Sequence, residues 1–166
     1  MNDKRTDPRS LAVSWEDPQA LAAAARAMPG IESLRAIRDG RQPPPPIAQL
    51  LGFRLVDVEP GLAVFEVTPG EQHYNPIGVV HGGLAMTLLD SAMGCCVQTE
   101  IAAGVAYTTL EAKTHLVRAI TQGTGRLRAI GKLVHLGKRV ATADGRLEDA
   151  SGKLYAHATT TCMVIS

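Results

Sequence analysis

From Gly52 onward the rhythm of apolar and polar positions changes several times, and each change predicts an element. "FRLVDV" and "LAVFEV" flank Glu59-Pro60-Gly61 and read as two strands joined by a hairpin turn. The loop "TPGEQHYNPIGVV" follows, then a helix from about Gly82 to Glu100. Apolar residues occupy nearly every side of that helix: Leu84, Met86, Leu88, Leu89, Met93, Cys95 and Val97. Such a helix is a buried one. Its polar and small residues, Gly83, Thr87, Asp90, Ser91, Gly94 and Gln98, recur by threes and fours and form a single stripe.

Strand-like segments fill the remainder. In "VAYTTLEAKTHLV" the even positions Ala106, Thr108, Leu110, Ala112, Thr114 and Leu116 form the smaller, less charged face, which alternation turns toward the helix. "GRLRAIGKLVHL" alternates Leu127, Ala129, Gly131 and Leu133 against Arg126, Arg128, Ile130 and Lys132. Gly137-Lys138-Arg139 turns into "VATADGRLED", and Asp149-Ala150-Ser151-Gly152 turns into "KLYAHATTTCMVI". Five or six strands with one buried helix predict an α+β fold, an antiparallel sheet wrapped around a central helix.

The first 46 residues have a different character. Residues 1–16 read as loosely attached. Asp17-Pro18 is an N-cap followed by proline at the first helical position, opening "DPQALAAAARAM". Pro29-Gly30 breaks that helix, and "IESLRAIRDG" forms a second one ending near Gly40. The run Pro43 to Pro46 is a stiff extended spacer. The expected organisation is therefore a helical extension over residues 1–46 and one sheet-and-helix domain over 47–166.

Composition narrows the function classes. The chain has 166 residues, enough for one domain with a genuine core; 45% are apolar, 20% charged, and the formal net charge is +1. No basic stretch is interleaved with aromatics, so nucleic acid is not an expected partner. No apolar run approaches the ~20 residues of a membrane span. Asp3, Asp7, Glu16 and Asp17 before the Ala-rich run argue against a signal peptide. The three cysteines, Cys95, Cys96 and Cys162, suit core packing better than a disulfide, which points to a reducing cytoplasm. The five histidines show no metal-ligand spacing, no nucleotide fingerprint occurs, and no cofactor is expected.

The chemistry concentrates in "NPIGVVHGGLAMTLLD", Asn75 to Asp90. A helix that opens at Gly82-Gly83 offers unpaired backbone N–H groups at the positive end of its dipole. With no side chains in the way, a carbonyl can approach them as in an oxyanion hole. Asp90 is a carboxylate among Leu88, Leu89, Ala92 and Met93, where an unpaired charge costs several kcal/mol. From Gly82 to Asp90 the helix rises ~12 Å, so one reacting atom cannot touch both within one chain. If they cooperate, Asp90 faces the Gly82 region of a second subunit across a two-fold axis.

"HYNPIGVVHGGLAMTLLD", "YTTLEAK" and the tail "GKRVATADGRLEDASGKLYAHATTTCMV" together resemble the PaaI-type acyl-CoA thioesterases of the hotdog superfamily, over about residues 30–165. The resemblance implies a hotdog fold that dimerises into a continuous sheet and usually pairs again into a homotetramer. Carried onto this chain, Gly82 would donate its N–H to a thioester carbonyl, with Gly83 beside it. Asp90 of the opposite subunit would be general base or nucleophile. Asn75 would position water or the carbonyl, and His81 would orient Asn75 and the loop. A serine or threonine on the strand after the helix is matched by Thr108, preferred to Thr109 as the helix-facing position. Lys138 and Arg139 are candidates for the coenzyme A phosphates. Two rival functions stay open: a hotdog hydratase-dehydratase with His81 as base opposite Asp90, and a non-catalytic acyl-CoA-binding module.

Overall fold

The computed structural model describes residues 9–165. Part of the loosely attached N-terminus, with Asp3 and Asp7, therefore lies outside the described residues. Helices α1 (Pro18–Arg26), α2 (Gly30–Arg38) and α3 (Pro46–Leu51) lead into strands β1 (Phe53–Glu59) and β2 (Leu62–Val67). The long helix α4 (Gly82–Gln98) follows, then β3 (Ala106–Leu116), β4 (Leu127–Leu136), β5 (Val140–Asp149) and β6 (Leu154–Ile165). The six strands form one antiparallel sheet in the order β1-β2-β4-β5-β6-β3. Strand β3 thus forms one open edge and β1 the other.

The helix sits on the sheet because small residues clear a path for it. Ala63, Gly131, Gly145, Ala158 and Thr114 are register partners across β2, β4, β5, β6 and β3. A Cβ at Gly131 would overlap the Ala92 carbonyl, and one at Gly145 would press on the ends of Leu89 and Met93. These two glycines let α4 approach closely enough for Leu88, Leu89, Met93 and Val97 to reach 1% exposure or less. Each such side chain contributes about 1.5–3 kcal/mol by leaving water.

The tight turns fall where glycine accepts positive φ, including Gly61 at 70° between β1 and β2 and Gly152 at 80° between β5 and β6. At the N-terminus, the Asp17 carboxylate accepts from the Gln19 N–H and starts α1 with proline in its first turn. Pro29 precedes α2 as its N-cap, and Gly30 is buried there because any Cβ would collide with the Gln98 carbonyl. A bond from the Gly30 N–H to the Ile101 carbonyl, 2.9 Å, ties α2 to the far end of α4. The third helix is not expected from the sequence, since the proline run hides its start. Pro46 stands inside its first turn, and Gly52, at φ 65°, ends it.

The alternation expected along β3 holds for only half the strand. Thr109 pairs with Cys162 and Glu111 with Thr161, so Leu110 is an extra residue in a bulge. The bulge reverses which parity faces the helix. Before it, Tyr107 and Thr109 face inward; after it, Ala112, Thr114 and Leu116 do. Thr108, expected on the helix side, is exposed on the opposite face.

Candidate active site

The loop ahead of α4 is held by a dense set of backbone and side-chain bonds. Residues Asn75 to Gly78 make a turn closed by the Gly78 N–H on the Asn75 carbonyl at 3.2 Å, with Gly78 at φ 82°. Asn75 Oδ1 accepts from the N–H groups of Ile77 and Val79 at 3.1 and 3.3 Å. That places the side-chain oxygen inside the turn. His73 is buried beneath the loop, its Nδ1 accepting from the Gly70 N–H and its Nε2 donating to the Leu51 carbonyl. Burial pushes the His73 pKa below its usual value, which suits a neutral, structural ring.

His81 is the N-cap of α4, and its Nδ1 accepts from the Gly83 N–H at 2.8 Å. Two corrections follow. His81 is not bonded to Asn75; the loop's own amides orient that residue. Gly83, expected to offer its N–H to substrate, has already given it to the imidazole. Gly82 keeps its N–H without an intramolecular partner among the described residues. It opens onto a hollow of about 280 Å³ bordered by Asn75, Val80, Leu116 and Arg118. The His81 bond also fixes the neutral ring as its Nε2–H tautomer. An imidazole in that form is a donor, not a base, toward anything outside it.

Asp90 lies two turns into α4 on the stripe that faces β3. Its Oδ1 accepts from the Thr109 hydroxyl at 3.0 Å. The sequence implied a buried carboxylate, but within this chain Asp90 is exposed, at the rim of a hollow shared with Met86, Thr87, Ala112 and Thr114. It escapes the cost of burial by facing the open β3 edge. Thr108 does not reach it, so Thr109 takes the place assigned to Thr108. Nothing in the sequence marks the bulge that exchanges them, because neither residue beside Leu110 is glycine.

Helix α4 is continuous from Gly82 to Gln98. The Gly82 N–H and the Asp90 carboxylate of one chain are therefore ~12 Å apart along its axis. Lys138 and Arg139 are exposed in the β4–β5 turn. That turn leads into Ala141, which pairs with Cys162, which pairs with Thr109, so both cations lie at the Asp90 end of the sheet. The cysteines are poor nucleophiles: burial pushes the Cys95 and Cys96 thiols up to about 12. All three remain free thiols.

One antiparallel sheet curved around one long helix defines the hotdog class. Residues 77–156, which carry the helix, β3 to β5 and the start of β6, match the family model described as the Thioesterase superfamily. Over that stretch the chain is similar to the thioester hydrolases of that superfamily, PaaI-type proteins among them. A 1,4-dihydroxy-2-naphthoyl-CoA hydrolase of Listeria monocytogenes is 26% identical over 109 residues, covering 65% of this chain and 86% of that enzyme. The structure of a phenylacetic acid degradation-related protein of Ralstonia eutropha JMP134 superposes with a TM-score of 0.70 at 29% identity, covering 78% of this chain and 98% of that one. A variant of the phenylacetic acid degradation protein PaaI from Thermus thermophilus gives 0.64 at 28% identity, with 71% and 97% covered. Among the described residues no helix is long and apolar enough to cross a membrane.

Proposed function

We propose that the chain hydrolyses acyl-CoA thioesters at two equivalent sites per homodimer, each completed by both subunits. The observation that carries this reading is the pairing of two unspent groups on one helix, the free Gly82 N–H at its start and the Thr109-held Asp90 carboxylate two turns on. Each suits half of the reaction, and their ~12 Å separation along the helix assigns the halves to different chains.

In this mechanism the Gly82 N–H of one subunit stabilises the developing negative charge on the thioester oxygen, helped by the helix dipole. Asp90 of the other subunit takes a proton from water as the water attacks the carbonyl, and passes it to the departing thiolate of coenzyme A. Alternatively the carboxylate attacks the carbonyl itself, the thiolate leaves and takes a proton from solvent, and water hydrolyses the resulting mixed anhydride to free the acid and Asp90. Asn75, with Oδ1 occupied, presents its amide NH₂ toward the Gly82 hollow as a second donor. Lys138 and Arg139 attract the phosphates of coenzyme A. A dimer formed along the β3 edge would close the open side of Asp90 and remove it from bulk water, and pairing of two dimers gives a tetramer. The His81 tautomer favours hydrolysis over hydration, since hydration requires that ring to act as a base.

The test is free-thiol release from acetyl-, phenylacetyl- and long-chain acyl-CoAs by the wild type and by Asp90→Asn. The expected result is release by the wild type and a loss of at least about a hundredfold in the variant, the scale of a missing general base. Undiminished turnover by Asp90→Asn would remove Asp90 from the mechanism. Water addition to an enoyl-CoA without thiol release would support the hydratase, and tight binding without chemistry the non-catalytic module.

A further inference from the structure

The hollow at Gly82 is bordered by one charged group that has no task in the hydrolysis, the Arg118 guanidinium. Every described arginine after Gly30 lies within salt-bridge distance of a carboxylate except Arg118 and Arg139. Arg139 has the coenzyme A phosphates as its expected partner; Arg118 has none. Arg118 and Asp149 both act electrostatically on the Tyr155 hydroxyl. The Asp149 carboxylate, however, is already taken by the Ser151 N–H and hydroxyl, the Lys153 N–H and the Tyr155 hydroxyl.

The backbone that carries this guanidinium is fixed on both sides. The N–H groups of Val117 and Arg118 donate to the Tyr155 carbonyl at 2.9 and 3.1 Å, which ties the segment to β6. The Val80 N–H donates to the Ile120 carbonyl at 2.9 Å, which ties it to the loop ahead of α4. Arg118 is the only charged side chain lining the hollow among the described residues, and Val79, Val80, Ala85, Leu116 and Ile120 make its walls apolar. A cavity of roughly 150 Å³ lined by aliphatic groups holds a benzene molecule, so about 280 Å³ has room for an acyl chain of about six carbons.

We infer that Arg118 selects acyl groups that end in a carboxylate, so that the substrates are coenzyme A thioesters of short dicarboxylic acids. The inference rests on the shared-site thioesterase reading, and the geometry of that dimer separates the two ends of the substrate. A two-fold axis that joins two β3 edges into one sheet, with both helices on the same face, runs the edges antiparallel. The Leu116 end of one strand then meets the Ala106 end of the other. Thr108 near that start is level with Met163 of β6 and Val140 of β5, so Lys138 and Arg139 of the other subunit fall at the same end as Arg118. Three strand spacings, ~14 Å, separate the two cationic positions. The thioester, held between Gly82 of one chain and Asp90 of the other, lies between them. Coenzyme A extends toward Lys138 and Arg139, and the acyl group toward Arg118. The phosphates do not serve Arg118 instead: the whole pantetheine arm separates them from the sulfur, whereas Arg118 borders the hollow that holds the carbonyl.

The experiment measures kcat/KM for thiol release from glutaryl-, adipoyl-, hexanoyl- and phenylacetyl-CoA by the wild type, Arg118→Leu and Arg118→Lys, with thermal melting as the control for folding. Adipoyl and hexanoyl groups have equal numbers of carbons and differ only in a terminal carboxylate in place of a methyl. The wild type should favour the better diacid thioester over hexanoyl-CoA. Arg118→Leu should lower that ratio by about tenfold or more, the worth of one charge-assisted hydrogen bond. Arg118→Lys, which keeps the charge and loses the planar fork, should fall between. Arg118→Gln supplies the same ratio should the leucine variant melt early. A wild type that releases no thiol from any of the four overturns the hydrolase reading and this inference with it. Thiol release with a preference for hexanoyl-CoA over both diacids overturns the role of Arg118 alone. So does a ratio in Arg118→Leu within about threefold of the wild type, since equal losses on both substrates would place the guanidinium on the coenzyme A portion.

Discussion

A hydroxyl 3.0 Å from a carboxylate oxygen restricts how that carboxylate can turn, and in this chain the hydroxyl belongs to Thr109. Thr109→Val keeps the shape and removes the donor. It should lower kcat by about tenfold, the worth of one hydrogen bond to a charged group, with little change in melting temperature. Thr108→Val, on the outer face, should stay within about twofold of the wild type. Equal losses in both variants would mean that the contact to Asp90 has no catalytic weight. The sequence made Asp90 and Gly82 legible by residue type alone, since a carboxylate on an apolar helix and a glycine pair at its start are each conspicuous. It could not choose between Thr108 and Thr109, because a single inserted residue, Leu110, reverses the parity of β3. It also could not show that His81 claims the Gly83 N–H, which depends on one side-chain rotation.

At the scale of elements, the chain's glycines and prolines did most of the signalling. The β1–β2 hairpin, the β5–β6 turn and the two N-terminal helices stand where Gly61, Gly152, Asp17-Pro18 and Pro29 announced them. Helix α3 escaped because it is six residues long and begins inside a proline run. The contact between α4 and the sheet gives a prediction that separates two glycines of similar appearance. Gly131→Ala drives a Cβ into the Ala92 carbonyl, which only a shift of backbone can relieve. Gly145→Ala meets the flexible ends of Leu89 and Met93 at 3.0 Å. The first should cost about 2–3 kcal/mol and lower the melting temperature by roughly 5 °C or more, the second clearly less. Thermal unfolding followed by circular dichroism measures both. A reversed order would contradict the close crossing of α4 at Gly131.

For the whole molecule, the question is how groups at opposite ends of an eight-residue helical interval serve one carbonyl. A second chain is the answer that helix geometry favours, and it also explains why an exposed carboxylate lies beside an open sheet edge. Sequence periodicity describes one chain at a time, so the distance argument, not the pattern, carried the expectation of a partner.

Gly82→Pro is the sharpest probe of that arrangement. Proline removes the N–H, is well tolerated at the first helical position, and follows a residue already extended, since His81 has φ −61° and ψ 133°. A Cβ at this position meets only the end of the flexible Leu116 side chain. The decisive measurement is thiol release by Asp90→Asn and Gly82→Pro subunits, each inactive alone, after unfolding and refolding together. Sites shared between chains leave one intact site in every mixed dimer, so activity should return to about a quarter of the wild-type level. If the mixture stays as inactive as its parents although mixed dimers form, each site lies within one chain and the shared-site account is wrong.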